Sequence, residues 1–187
     1  MIAFRKFLEK YTSIPDIEWK IIVQAFERKE FVRNEIILEE GKICRHFYFL
    51  EEGLIRFFIL VDGNDITKFF TTAPHCFTSK DSFRNQKPAT ENIQALEKTV
   101  VWQTTLSKAN ELLELKSWNI FTRKFVHEVQ SYTEELLIES KTETAENRYF
   151  KLLEKYPDII NKIPLKHLST FLGIAPQSLS RIRKRLQ

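Results

Sequence analysis

The last 24 residues of the chain, Pro164 to Gln187, constrain its fold most strongly. They contain five Lys or Arg residues and no Asp or Glu, whereas the whole chain has a formal net charge of only +4. Apolar residues recur in this tail at helical spacing, in two groups separated by a glycine. The two groups are Leu165, Leu168 and Leu172, then Leu179, Ile182 and Leu186. The pattern predicts two short helices, not a disordered basic arm.

A three-residue connection, Gly173-Ile174-Ala175, separates the two predicted helices. Gly173 can adopt the positive φ that closes a helix C-terminus. Pro176 then stands in the first turn of the next helix, where its missing N–H is harmless. One local rule is not met, because Ala175 occupies the position where Ser or Thr usually caps a helix. Two short helices joined by a tight glycine turn predict a helix-turn-helix.

The second predicted helix has one apolar face and one polar, basic face on a wheel of about 100° per residue. Arginine can bind guanine O6 and N7, and glutamine can pair with an adenine edge, so the polar face suits a major groove. The wheel places Gln177, Ser180, Arg181 and Lys184 on this face, and the flanking Arg183, Lys184 and Arg185 can meet phosphates. The alternative is an ordinary amphipathic helix whose basic last turn suits the helix dipole.

Composition places the chain among folded proteins, because 43% of its residues are hydrophobic and 16 are Phe. The longest apolar run, Phe57 to Val61, is too short to cross a bilayer. The first residues, MIAFRKFLEKY, lack the apolar core of a signal peptide, so we expect a cytoplasmic location. Cys44 and Cys76 cannot supply the four thiolates of an iron–sulfur cluster, and we expect buried free thiols.

The middle of the chain is predicted to be a β-rich region between helices. Helices are expected over 2–10 and 15–27, and β-rich runs from Phe31 to about Thr105. The runs are 35–38, 47–50, 54–60, 66–70 and 100–104. Gly41, Gly53 and the hairpin dipeptide Asp62-Gly63 separate several of them, which predicts antiparallel strands.

A long helix is predicted from near Ser117, after a short helical segment from Ser107 to Leu115. Its apolar stripe lies within about 80° on the helical wheel. The stripe consists of Trp118, Phe121, Phe125, Val129, Tyr132 and Leu136. The spacing of the stripe favours pairing of at least part of the helix with a second copy of the chain. The alternative is that the stripe packs against the β-region of its own chain. A further helix is expected from about Thr144 to just before Pro157.

This order of elements resembles the Crp/Fnr family of bacterial transcription regulators. Two segments carry the resemblance: LEEGKICRHFYFLEEGLIRFF in the β-region and LSTFLGIAPQSLSRIRK at the C-terminus. The resemblance implies an α+β chain with an N-terminal antiparallel β-roll of the cyclic nucleotide-binding type. It also implies a long dimerisation helix and a C-terminal helix-turn-helix. The implied domains are 1–116, 117–141 and 142–187.

The resemblance also implies a function and its partners. A member of this family would be a dimeric regulator that reads a two-fold-symmetric site on double-stranded DNA with the helix 176–186 and acts with RNA polymerase. The resemblance adds Ser178 as a DNA contact, although the wheel places it nearer the packed side. The full predicted set of DNA-binding residues is Gln177, Ser178, Ser180, Arg181, Lys184, Arg185 and Lys166.

The sensor region departs from the family pattern. Relatives that bind cyclic nucleotides carry a glycine and an arginine that hold the cyclic phosphate, but the stretch APHCFTSKDSFRNQKPATENIQALE contains no glycine. Glu91 stands near the expected arginine position and would repel a phosphate. Arg84 and Lys87 remain as effector-binding candidates. We therefore expect no response to cyclic AMP and leave open an unknown small-molecule effector.

Neither a metal site nor catalysis is predicted. Cys44, His46 and the pair His75-Cys76 lack the spacing of metal ligands, and His127 and His167 are expected on helix surfaces. No catalytic motif is present, so we expect a protein that is not an enzyme and needs no cofactor. The alternatives are a cupin-like roll that binds or converts a small molecule, and a protein-interaction module.

Overall fold

The computed structural model describes residues 1–185, so the predicted packing of Leu186 lies outside the described residues. The chain forms two compact units. Unit 1 consists of Met1–Phe57 and Phe70–Val129. Unit 2 consists of Phe58–Phe69 and the chain from Gln130 onward. The second unit therefore combines a short internal segment with the C-terminal helices.

The chain runs from two N-terminal helices through a β-rich region to a long helix and the C-terminal helices, which is the coarse order that the sequence predicted. The helices are α1 (Ile2–Glu9), α2 (Asp16–Gln24), α3 (Lys80–Asn85), α4 (Leu106–Leu112), α5 (Lys116–Thr142), α6 (Ala145–Lys155), α7 (Pro157–Ile160), α8 (Leu165–Leu172) and α9 (Pro176–Lys184). The strands are β1 (Glu27–Phe31), β2 (Ile36–Leu38), β3 (His46–Glu52), β4 (Leu54–Val61), β5 (Asn64–Thr72), β6 (His75–Phe77), β7 (Asn92–Ala95) and β8 (Thr99–Thr105).

The strands form two four-stranded sheets, which together make the β-roll. One sheet has the order β1-β8-β3-β6 and the other β2-β7-β4-β5. In the first sheet the pairing is antiparallel throughout, and Tyr48 lies opposite both Gln103 and Phe77 on its two neighbours. The Tyr48 and Phe77 rings stack with their centroids 4.7 Å apart. The α+β fold class and its antiparallel roll are thus confirmed.

Two of the predicted turns have a clear stereochemical cause. Asp62 and Gly63 have φ of 50° and 77°, as the hairpin between β4 and β5 requires. Gly53, with φ of 109°, joins β3 to β4, and a Cβ atom there would lie 2.6 Å from Thr99 Oγ1 and 2.9 Å from the Lys98 carbonyl oxygen. Only glycine fits this position without moving the backbone of the neighbouring strand.

The structure differs from the sequence prediction at several element boundaries. The predicted helix 15–27 ends at Gln24, and strand β1 begins at Glu27, four residues before the predicted start of the β-rich region at Phe31. This strand pairs along its length with β8, from Glu27 opposite Gln103 to Phe31 opposite Thr99. Pairing with a distant strand therefore overrides the local pattern. The short elements β6, α3 and β7 had too few residues to show a period and were not predicted.

The core of unit 1 is aromatic and includes the first half of the stripe on α5. Trp118, Phe121 and Phe125 are only 3%, 1% and 7% exposed, and they pack with Phe4 and Phe7 of α1. This corrects the expectation that these three residues form a dimer seam, because the chain itself already covers their side chains. The alternative, in which the stripe covers the β-region, applies to this half of the helix.

From Val126 onward, α5 keeps apolar side chains at its surface. Val126, Val129, Tyr132 and Leu137 are 43%, 38%, 37% and 54% exposed, and Leu136 is half-buried. Tyr132 also contacts its own chain, because Lys155 Nζ lies 5.8 Å from its ring centroid. Among residues 1–185, no helix is both long and apolar enough to cross a membrane.

Candidate nucleic-acid interface

The turn between α8 and α9 has the geometry that the glycine predicted. Gly173 closes α8 with φ of 70°, and its N–H donates to the Thr170 carbonyl oxygen at 3.2 Å. The Ile174 N–H reaches back to the Ser169 carbonyl oxygen at 3.0 Å. These two bonds satisfy carbonyl groups that the end of α8 would otherwise leave open. The backbone then enters α9 at Pro176, without a side-chain cap from Ala175.

The two helices pack through the apolar positions that the wheel assigned to their inner faces. Leu168, Leu172, Leu179 and Ile182 are at most 6% exposed. Ser169 is fully buried, and its hydroxyl donates to the Lys166 carbonyl oxygen at 2.9 Å. The buried side of α9 is thereby fixed, so its opposite side faces away from α8.

That opposite side carries the predicted polar and basic residues. Gln177, Arg181 and Lys184 are exposed on α9, and we call these three the groove face. Ser178 and Ser180 are half-buried, so they offer less surface to a ligand. The groove face combines amide and guanidinium donors suited to base edges with an ammonium group suited to a phosphate.

Two further predicted contacts have different surroundings. Lys166 is exposed on α8. Arg185 is also exposed, and its Nη1 lies 3.4 Å from Glu146 Oε1 on α6. An ion pair of this kind at the protein surface is weak, so it leaves Arg185 able to exchange partners.

Arg183 does not fit the prediction that it meets phosphate. Its side chain is half-buried, and Nη2 donates to the Ile160 carbonyl oxygen at 3.4 Å. Its guanidinium carbon lies 5.8 Å from the ring centroid of Tyr149. The wheel places Arg183 about 40° from the buried Leu179, which was a signal of this arrangement, but it does not show which groups pack there.

The sensor region of the roll offers no cluster of positive charge at the predicted candidates. Arg84 and Lys87 are exposed, and Lys87 Nζ lies 2.6 Å from Asp81 Oδ2. The hydrogen bond from Lys87 helps to lower the pKa of Asp81. Glu91 is 8% exposed and accepts a hydrogen bond from the Ser79 hydroxyl at 3.0 Å. The structure therefore keeps a carboxylate inside this region and its two candidate cations at the surface.

The cysteines and histidines lie in separate environments. Cys44 Sγ donates to the His46 carbonyl oxygen at 3.4 Å, and Cys76 is a buried free thiol whose pKa burial raises. The His75 ring lies 5.8 Å from Phe7 and 5.4 Å from Phe125, and burial lowers its pKa. Across residues 1–185, no three potential metal ligands lie together.

The two histidines on the C-terminal half of the chain differ in exposure. His127 is exposed on α5, as predicted. His167 is half-buried on α8, so its predicted surface position holds only in part.

Comparison with known proteins shows which domain family the roll is similar to. Residues 28–116 match the family model of the cyclic nucleotide-binding domain. The search of curated proteins found no match to this chain. The roll is therefore similar to cyclic nucleotide-binding domains, in agreement with the resemblance seen in its glycines and strands.

Solved structures extend the likeness to nearly the whole chain. FixK2 from Bradyrhizobium japonicum has a TM-score of 0.72 at 16% identity, over 86% of this chain and 84% of its own. A putative Crp/Fnr-family transcriptional regulator from Eubacterium rectale has a TM-score of 0.71 at 17% identity, over 93% of this chain and 84% of its own. A CooA mutant from Carboxydothermus hydrogenoformans has a TM-score of 0.69 at 12% identity, over 88% of this chain and 77% of its own. The chain thus has the fold of Crp/Fnr regulators.

Proposed function

We propose that the chain is a dimeric, sequence-specific DNA-binding regulator of the Crp/Fnr type. The observation that carries the proposal is the groove face: Gln177, Arg181 and Lys184 are exposed on a helix whose other side is buried against α8. In this proposal the domains are 1–116, 117–141 and 142–187, and α9 enters the major groove. RNA polymerase is the proposed partner at the promoter.

The proposed interface separates base contacts from phosphate contacts. Arg181 lies near the middle of the groove face and is the proposed contact to a base edge, with Gln177 beside it. Lys184, Arg185 and Lys166 are the proposed phosphate contacts, because a lysine or a mobile arginine at the edge of a surface suits the backbone of DNA. Ser178 and Ser180 are proposed as secondary contacts, since both are half-buried.

A second copy of the chain is the proposed partner for the exposed half of α5. Val126, Val129, Leu136 and Leu137 lie within about 100° on the helical wheel, so they form one apolar strip. This strip is rotated from the one predicted by sequence and retains Val129 and Leu136, with Tyr132 at its margin. A dimer would present two copies of α9 to half-sites about 34 Å apart.

The first test is the effect of Arg181→Ala on a DNA site that the wild type selects from random duplexes. We expect a loss of about 1–3 kcal/mol and relaxed preference at one position per half-site, because a bidentate base contact is removed. Lys184→Ala should instead weaken all duplexes alike and reduce the slope of log affinity against log salt by about one.

Fluorescence anisotropy at several salt concentrations measures both quantities. Wild-type affinity and sequence preference in Arg181→Ala would contradict the assignment of α9. A wild type that binds no duplex in a salt-dependent way would instead favour the protein-interaction module.

The proposed regulator does not respond to cyclic AMP or cyclic GMP. An anionic ligand needs converging donors, whereas Glu91 is buried in this region and Arg84 and Lys87 are exposed. Titration calorimetry with either nucleotide should give no binding heat at physiological concentrations. Micromolar binding that Arg84→Ala or Lys87→Ala abolishes would contradict the prediction and identify the phosphate clamp.

A further inference from the structure

We infer that Arg183 is a positioning residue which, with Arg148 and Tyr149, holds the recognition helix at the angle that base contact requires. We call these three residues the arginine brace. The inference rests on the proposed function, because it concerns how α9 meets DNA. It removes one of the five basic residues of the tail from the DNA-contacting surface and adds two residues of α6 that sequence analysis did not single out.

The surroundings of Arg183 are those of a structural cation. The ring beneath its guanidinium belongs to Tyr149, which is 3% exposed, and the oxygen that it contacts belongs to Ile160, which is 2% exposed. Ile160 is the last residue of α7, where carbonyl groups lack helical partners and a positive charge is favourable. To reach a phosphate, Arg183 would have to leave both the ring and this carbonyl.

Arg148 makes the matching contact at the other helix of the motif. Its Nη2 lies 2.6 Å from the carbonyl oxygen of Leu172, the last residue of α8. A charged donor to such a terminal carbonyl is stronger than a neutral one. Arg148 therefore fixes the end of α8 immediately before the Gly173 turn.

The two contacts come from neighbouring residues of one helix. Arg148 holds the end of α8, and Tyr149 supplies the ring under the Arg183 guanidinium, so α6 contacts both helices of the motif. A bidentate base contact tolerates only a small displacement of its side chain, whereas attraction to the phosphate backbone varies slowly with distance. Loss of the brace should therefore reduce specific binding far more than non-specific binding.

Arg183→Lys tests this inference, because it keeps the charge and removes the planar guanidinium that stacks on Tyr149. We expect its affinity for the duplex selected by the wild type to fall about tenfold, the size of one good base contact. Its affinity for a mixed-sequence duplex and its salt slope should stay at the wild-type values. Tyr149→Leu should give the same pattern without any change in charge.

Two matched control variants accompany this test. Tyr149→Phe keeps the ring and should bind as the wild type does. Lys184→Met removes a charge from the groove face and should reduce the salt slope by about one. Thermal melting of each variant checks that the chain is folded. If Tyr149→Leu does not fold, the affinity of Arg183→Lys for the selected duplex alone tests the inference.

The outcomes separate this inference from the proposed function. If the wild type selects a duplex and Arg183→Lys binds it equally well, Arg183 acts only through its charge. The inference about the arginine brace is then wrong, and the proposed function is unaffected. If Arg183→Met reduces the salt slope by about one, Arg183 meets a phosphate and the brace is again wrong. If the wild type selects no duplex, the proposed function fails, and the inference fails with it.

Discussion

Replacing Phe121 by alanine is expected to lower the free energy of unfolding by about 3–5 kcal/mol, because it leaves a cavity in the core of unit 1. Phe121 is 1% exposed, and its ring centroid lies 5.2 Å from Trp118, 5.4 Å from Tyr11 and 5.5 Å from Phe125. Typical domains have only about 5–15 kcal/mol of stability in total, so the loss is large. Urea unfolding followed by circular dichroism measures it.

Ile138→Ala is the matched control, because Ile138 lies on the same helix, is 60% exposed and lies outside the proposed apolar strip. Its effect should stay within about 0.5 kcal/mol, as for most surface substitutions. Phe125→Asp would place a carboxylate in the core, so it should unfold unit 1 and cannot serve as a test of dimerisation. If Phe121→Ala were as stable as the wild type but had half its mass in solution, the result would support the sequence prediction that Phe121 lies in the dimer interface.

The second large effect is expected from Leu137→Asp, which should dissociate the proposed dimer. Leu137 is 54% exposed and lies in the apolar strip of α5. A charge there enters the seam twice, once from each copy. At roughly 2 kcal/mol for each copy, association should weaken by about a thousandfold. Sedimentation at micromolar concentration should show a dimer for the wild type and a folded monomer for the variant.

Ile138→Asp is the matched control for this prediction. Ile138 is 60% exposed and is the next residue of the helix, but the wheel turns it about 100° from Leu137 and away from the strip. This variant should remain a dimer and keep its affinity for a two-fold site, whereas Leu137→Asp should lose most of that affinity along with the second α9. A monomeric wild type, or a dimeric Leu137→Asp protein, would contradict the proposed seam.

The C-terminal motif was the part of the chain most fully predicted from sequence. Gly173 predicted the turn. The spacing of the apolar residues predicted the buried faces, which contain Leu168, Leu172, Leu179 and Ile182. These features are local, because a positive φ and a helical period depend on residues close together in the chain. The hairpin at Asp62-Gly63 and the Thr144 cap of α6 were predictable for the same reason, and the Thr144 hydroxyl does accept from the Asn147 N–H at 3.2 Å.

The role of each side of α5 was not predictable in this way. A single apolar stripe looks the same whether the chain covers it or a second copy does. The structure divides this stripe into two parts, because α1 and the roll cover Trp118, Phe121 and Phe125, while Val129 and Tyr132 stay exposed. Which neighbour covers a helix face depends on contacts between residues far apart in sequence.

The sequence by itself determined the order of elements, the glycine turns and the polar face of α9, because each of these follows from the backbone and from helical period. Helical period also separates Arg181 from Arg183 by about 200°, but tertiary structure alone decided what contacts Arg183. Arg181 and Arg183 are two residues apart in one basic run, yet Arg181 is exposed and Arg183 is held against Tyr149 and Ile160. The physical reason is that a buried ring and an open helix-end carbonyl, supplied by α6 and α7, compete with solvent for the guanidinium.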